Sequence, residues 1–127
     1  MTTAVRGIRG ATTADANTRD AILDATEDLV RQLCAENGIN PADIASAIFS
    51  VTPDLTAAFP PEAARVRLEW SHVALISTTE IPVPGAVERC IRVLIHINTQ
   101  KRQDEMKFVY LRGASNLRAR ATEPQGQ

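Results

Sequence analysis

Cys90-Ile91-Arg92-Val93-Leu94-Ile95-His96-Ile97-Asn98-Thr99 is the stretch whose alternation decides the fold. Successive side chains of a strand point to opposite faces, so Ile91, Val93, Ile95 and Ile97 form one apolar row and Cys90, Arg92, Leu94, His96 and Asn98 the other. The run reads as a strand with one face in a core, and Arg92 is aimed to the same side as His96. Near the start of the chain, Val5-Arg6-Gly7-Ile8-Arg9-Gly10-Ala11-Thr12 alternates in the same way, with Val5, Gly7 and Arg9 on one side and Arg6 and Ile8 on the other. One arginine goes each way, and Gly7 and Gly10 allow close packing against a strand.

Between these strands, residues 18–37 carry Ile22, Ala25, Leu29 and Leu33 at helical spacing, widened by Leu23, Val30 and Cys34. Asn17 or Thr18 can cap the first turn, Asp20 suits the positive end of the helix dipole, and Gly38 supplies a left-handed stop. Asn40-Pro41-Ala42-Asp43 reads as a turn before an apolar run, Ile44 to Thr52, that ends as a strand. Pro60-Pro61 opens a short helix over Glu62–Leu68, with Arg65 one turn from Glu62. Val73–Ile76 is a short strand, and Ile81-Pro82-Val83-Pro84-Gly85 is a shaped loop with Glu80 at its entrance. A polar break at Gln100–Glu105 leads to a last strand, Lys107–Leu111. Five strands with one long and one short helix predict a single α/β or α+β domain.

The size agrees, because 127 residues accommodate one core. A formal net charge of -1 lacks the positive field with which proteins grip phosphate backbones, so nucleic acid is not expected as a partner. No apolar run approaches the roughly 18 residues of a membrane span and the first residues lack the apolar core of a secretion signal, so no membrane association and a cytoplasmic location are expected. Cys34 and Cys90 are too few and too far apart for a disulfide framework, and His72 and His96 have no metal-ligand spacing, so no metal is expected.

No nucleophile elbow, phosphate loop or dinucleotide fingerprint is present. What stands out is the choice of cation, since twelve of the fourteen basic residues are arginines and only Lys101 and Lys107 are lysines. Arginine binds carboxylates with a planar fork of donors, although the same bias arises from codon usage when alanine is also abundant. Taken singly, Arg9, Arg65 and Arg92 are ordinary solvated or ion-paired residues, Glu80 a loop carboxylate, Tyr110 a strand tyrosine with a wet hydroxyl, and Phe59 a local core plug.

Taken together, Val5–Thr13, Thr52-Pro53-Asp54-Leu55, Ala58-Phe59-Pro60, Pro82-Val83-Pro84-Gly85, Cys90-Ile91-Arg92-Val93 and Val109-Tyr110-Leu111-Arg112 resemble the AroH-class chorismate mutases in order and spacing, from the first strand to Leu117-Arg118. The resemblance implies a domain over residues 1–118, with 119–127 as a flexible tail. It implies a pseudo-α/β-barrel assembled as a homotrimer, with active sites between adjacent subunits and no cofactor or metal. The implied reaction converts chorismate to prephenate on the route to phenylalanine and tyrosine. It is an intramolecular rearrangement, which accounts for the missing nucleophile.

By the same resemblance, Arg92 would point at the ether oxygen and reach a carboxylate, while Arg9 would bind a carboxylate and Tyr110 donate a hydrogen bond nearby. Glu80 would accept from the ring hydroxyl. The neighbouring subunit would bring Phe59 as a wall and Arg65 as a carboxylate partner, and Leu117 and Arg118 would close the cleft. Two positions depart from the family pattern. Ser77 stands where a cysteine can occur, and its hydroxyl still suits the ring hydroxyl. Glu62 stands where a lysine can occur, and as an acid it is left out of the site, with Arg65 expected to pair with it or offset it. A non-catalytic trimeric binder of a small carboxylate and a YjgF-type imine deaminase are the alternatives, the second without its characteristic active-site run.

Overall fold

A computed structural model describes residues 2–117 of the protein. The predicted long strand is the centre of the sheet. Strands β1 (Ala4–Thr13), β2 (Ile44–Val51), β3 (Ala74–Thr79), β4 (Cys90–Thr99) and β5 (Val109–Tyr110) are arranged in the order β3-β2-β4-β1-β5. β4 runs antiparallel to β1 and β2, while β2–β3 and β1–β5 are parallel pairs.

Helix α1 (Arg19–Asn37) covers one face, burying Ile22, Leu23, Ala25, Leu29, Val30 and Leu33. The two options for its cap resolve by division of labour. Thr18 accepts from the Ala21 N–H at 3.2 Å, while Asn17 accepts from the Thr56 and Ala57 N–H groups and braces the loop after β2. Gly38 ends the helix at φ 60°, ψ 41°, the left-handed region glycine reaches without a Cβ penalty. Of the apolar row predicted for β4, Val93, Ile95 and Ile97 pack under the helix with Ile8, Ala47 and Phe49, and Ile91 packs with Ile22 and Ala25; each fully buried aliphatic chain contributes roughly 1.5–3 kcal/mol.

Gly10 sets how closely these layers approach, since a Cβ there would lie 2.6 Å from the Val109 carbonyl oxygen and 3.0 Å from Leu29 and Leu33 methyls. At Gly7 the nearest atom would be 3.7 Å away, an ordinary contact, so only the second glycine is required by packing within the chain. The other face of the sheet, bearing Val5, Ile48, Ile76 and Leu94, has no layer over it among the described residues, and all four are exposed.

Three elements differ in extent from the sequence reading. β3 runs on through Ser77, Thr78 and Thr79, because its parallel ladder with β2 continues to Val51–Thr79 whatever the polarity of the side chains. β5 shrinks to two residues. The Lys107 backbone is taken at both its N–H and its carbonyl by the buried Asn37 side chain, and the chain then turns away at Arg112, φ 51°. The short helix begins at Pro61 but is wound as a π turn over Ala63–Arg67, with the Leu68 N–H donating to the Ala63 carbonyl at 3.1 Å. No helix among the described residues is long and apolar enough to cross a membrane. Arg118 and the tail lie outside the described residues.

Candidate active site

The residues singled out in the sequence fall into two groups, and the sheet explains why. The ladder partners Ser50–Arg92, Arg92–Ala11 and Ala11–Tyr110 align Ser50, Arg92, Ala11 and Tyr110 in one row across the open face. Arg9 shares that face, two residues before Ala11, as does His96, which lies further along β4 against the Ser46 hydroxyl at 3.1 Å. The small Ala11 side chain lies between the arginine and the tyrosine.

Glu80 joins the row from just beyond β3. Its N–H donates to the Val51 carbonyl at 2.8 Å, the Ser50 hydroxyl donates to its Oε2, and its Oε1 is 3.5 Å from the Arg92 Nε. That last contact is an ion pair without hydrogen-bond geometry, so the buried Arg92 Nε has no hydrogen-bond partner among the described residues. A buried guanidinium N–H left unpaired is costly, and it is a donor held ready for an acceptor. The Arg92 side chain as a whole is 38% exposed, which leaves it open to a ligand.

The entry of β4 is fixed by a knot of polar groups. The Cys90 N–H donates to the Thr52 hydroxyl at 2.9 Å, and that hydroxyl donates to Asp54 Oδ1. The Arg89 N–H donates to Asp54 Oδ2 at 2.9 Å, with Arg89 itself at φ 47°. Burial alone would raise the Asp54 pKa, but the bonds from Thr52 and Arg89 outweigh it and hold the carboxyl below its usual range. Beneath Arg92, the Cys90 thiol packs with Ala11, Ala114 and Leu117, with Tyr110 against the same cluster. Burial pushes that thiol up, against the opposing pull of Arg92, so it is a wall rather than a nucleophile. Leu117 is thereby brought beside Tyr110. Arg9 lies with its guanidinium 5.1 Å above the Phe108 ring, a cation–π contact.

The second group lines a cleft of about 260 Å³ at the β3 edge, formed by Phe59, Pro61, Glu62, Arg65, Leu75, Ile76 and Ser77. Phe59 is 75% exposed, so it is not the core plug its neighbouring prolines suggest. Ser77 is in register with Phe49, on the core side of the sheet, whereas Arg92 faces the open side. Within one chain, Phe59, Arg65 and Ser77 are therefore brought together, as are Arg92, Glu80, Tyr110, Leu117 and Arg9, but the two sets do not meet. The expected pairing of Arg65 with Glu62 is absent. Glu62 is held instead by both guanidinium N–H groups of Arg19 across from α1, and this pairing keeps its carboxyl below the usual range.

The pairing state of the arginines separates the site from the rest. Arg31 is bonded to Glu27, Arg67 to Asp24 and Glu27, Arg102 to Asp104 and Arg112 to Asp28, while Arg6 and Arg89 donate to backbone carbonyls. Among the described residues, Arg9 and Arg65 alone have neither a hydrogen bond nor an ion pair, and Arg92 has only its long contact with Glu80. Three guanidiniums are thus left for an anion. Ser50, Phe108 and Arg19 were not found from the sequence. Ser50 was accessible in principle from the alternation of β2, but the other two act through contacts between residues far apart in the chain. Among the described residues, no group of three or more His, Cys, Asp or Glu could hold a metal.

Comparison with known proteins gives a consistent result. A family model described as chorismate mutase type I matches residues 5–121. The chain is 49% identical over 115 residues to a chorismate mutase AroH of Thermus thermophilus, covering 90% of this chain and 93% of that protein. It is 39% identical over 114 residues to chorismate mutase AroH of Bacillus subtilis strain 168, covering 90% of each. The fold matches a chorismate mutase structure from Clostridium thermocellum with a TM-score of 0.83 and 49% identity, over 85% of this chain and 96% of that one.

Proposed function

The chain belongs to the type I chorismate mutase family, and from that membership we propose that its two groups of residues are halves of one active site, completed between adjacent copies in a homotrimer. The reaction is that of the family, the rearrangement of chorismate to prephenate in aromatic amino acid biosynthesis. Neither the binder nor the imine deaminase is favoured by these relatives. During the reaction an ether C–O bond breaks as a C–C bond forms within one dicarboxylate, and no group is transferred to or from the protein. The protein's tasks are to hold the compact conformer and to stabilise the negative charge that develops on the ether oxygen.

The observation that carries the reading is the buried Arg92 Nε without a hydrogen-bond partner, beside a Glu80 anchored by Ser50. In this reading Arg92 donates to the ether oxygen, an interaction that strengthens as the bond breaks, and reaches one carboxylate. Arg9, with no acidic partner, takes a carboxylate, and the Tyr110 hydroxyl donates to the same part of the ligand. Glu80 accepts from the ring hydroxyl, its charge complementing the electron-poor ring of the transition state. The neighbouring copy contributes Phe59 as a wall, Arg65 as a second carboxylate partner and Ser77 as a hydroxyl for the ring. Leu117 closes the cleft, and Arg118 is assigned to it by resemblance alone.

Assembly is supported by size and exposure. The β3-edge cleft is smaller than the roughly 300–1,000 Å³ of a complete small-molecule site, as a half-site should be. Val5, Ile48, Ile76 and Leu94 form an apolar open face of the kind that marks an association surface. The decisive test follows the loss of chorismate absorbance with wild-type and Arg92→Ala protein. Removing the donor lowers kcat by about 100- to 1000-fold or more, and Arg92→Lys, which keeps the charge but not the fork, also loses most activity. Equal rates for wild type and Arg92→Ala would refute the role of Arg92.

A further inference from the structure

The β3-edge cleft contains an acid that no part of this reading uses. Glu62 lines it beside Arg65 and Ser77, and a free carboxylate there would repel a dicarboxylate substrate. Its neighbours on the same turn, Arg65 and Arg67, act on it only through space and make no bond to it. The π winding over Ala63–Arg67 is wider than an α turn, Arg65 makes no bond to Glu62, and Arg67 is engaged by Asp24 at 2.6 Å and Glu27 at 3.2 Å. The largest neutralising contribution comes from Arg19, the first residue of α1, 43 positions away in sequence. Its NH2 donates to Glu62 Oε1 at 2.9 Å and its NH1 to Oε2, the parallel two-point arrangement in which arginine binds carboxylate most firmly. The Glu62 side chain is 22% exposed and that of Arg19 58%, so the pair sits at the solvent-facing rim of the cleft with the carboxylate held at both oxygens.

With Arg19 in place, the charges of Arg19, Glu62 and Arg65 leave the cleft with one net positive charge; without Arg19 they cancel. Resting on the proposed active site, we propose that Arg19 is a positioning residue for substrate capture: it holds and neutralises Glu62 at the cleft, keeps the cleft attractive to a dicarboxylate, and leaves the Arg65 guanidinium free to bind it. Arg19 touches no reacting atom in this scheme and acts through Glu62.

The test is steady-state kinetics on chorismate with wild type, Arg19→Gln, Arg19→Lys, Glu62→Gln and the double variant Arg19→Gln/Glu62→Gln, in about 0.01 M and about 0.15 M salt. Arg19→Gln raises KM about 3- to 10-fold at low salt with kcat within about twofold, and the increase shrinks at the higher salt, where charges are screened over about 8 Å rather than about 30 Å. Glu62→Gln lowers KM, and the double variant returns KM to near the wild-type value although the ion pair is gone. Arg19→Lys, which keeps the charge, stays close to wild type. An unchanged KM in Arg19→Gln, or a double variant as impaired as Arg19→Gln, overturns the proposal, the second outcome by reducing the pair to a structural brace. Should Arg19→Gln fail to fold, a KM for Glu62→Gln at or above the wild-type value overturns it equally. Absence of turnover in the wild type would defeat the mutase reading itself, an outcome distinct from all of these.

Discussion

At the scale of single residues, what distinguishes Arg9, Arg65 and Arg92 from the other described arginines is what they lack. Each of the others is matched to a carboxylate or a carbonyl within the chain. Arg9 is steadied by an aromatic face instead of a salt bridge, which orients the guanidinium without spending its donors. A contact of this kind at an exposed site is worth about 0.5–1 kcal/mol. Phe108→Leu should therefore raise KM for chorismate about two- to fivefold with a smaller change in kcat, and Phe108→Tyr should restore it. Steady-state kinetics on the three proteins checks this, and equal KM values would show that Arg9 does not depend on the ring.

At the scale of elements, the site depends on strands placed by groups remote from it. β4 is anchored at Cys90 by Thr52 and Asp54, so the register that aims Arg92 is held from its first residue. The segment leading into β5 is held at Lys107 by the Asn37 amide, and the absence of a Cβ at Gly10 lets the Val109 backbone lie close against β1. Gly10→Ala would drive a Cβ into the Val109 carbonyl, and overpacking of this kind costs about 1–3 kcal/mol. Thermal unfolding should show a lowered midpoint, and kcat/KM should fall in the folded fraction, because the strand that must shift carries Tyr110 beside Phe108. A midpoint equal to wild type would mean that β5 yields freely. The short helix is the second such element, since Glu62 at its start is bonded by Arg19 of α1 and not by Arg65.

At the scale of the whole molecule, the described residues form two layers with an exposed sheet face, and the proposed site draws on two groups of residues that do not meet within one chain. If the active site lies between copies, activity should depend on assembly. Dilution monitored by sedimentation together with turnover should show specific activity falling in step with the trimer fraction. A fully active monomer would contradict the shared site. An independent check mixes two impaired proteins, Arg92→Ala and Arg65→Ala. Exchange of subunits regenerates sites in which both arginines are intact, and activity should rise in the mixture.

The two long strands with their faces and the long helix with its caps were legible in the sequence, because these depend on periodicity and on neighbours a few residues apart, whereas the limits of β3 and β5 were not. The sequence also carried the family, through motifs spread along nearly the whole chain, and with the family came the residues proposed for the site. It could not reveal that Ser77 and Arg92 face opposite sides of the sheet, because β3 was traced only to Ile76 and its last three residues owe their strand conformation to β2. Nor could it reveal which arginines are free. Arg19 read as an ordinary surface residue and Glu62 as an acid to be offset by Arg65, yet the two pair across 43 positions. Only the tertiary structure decided that, because an ion pair is set by where folded elements come together, and a count of charges along the chain contains no such distances.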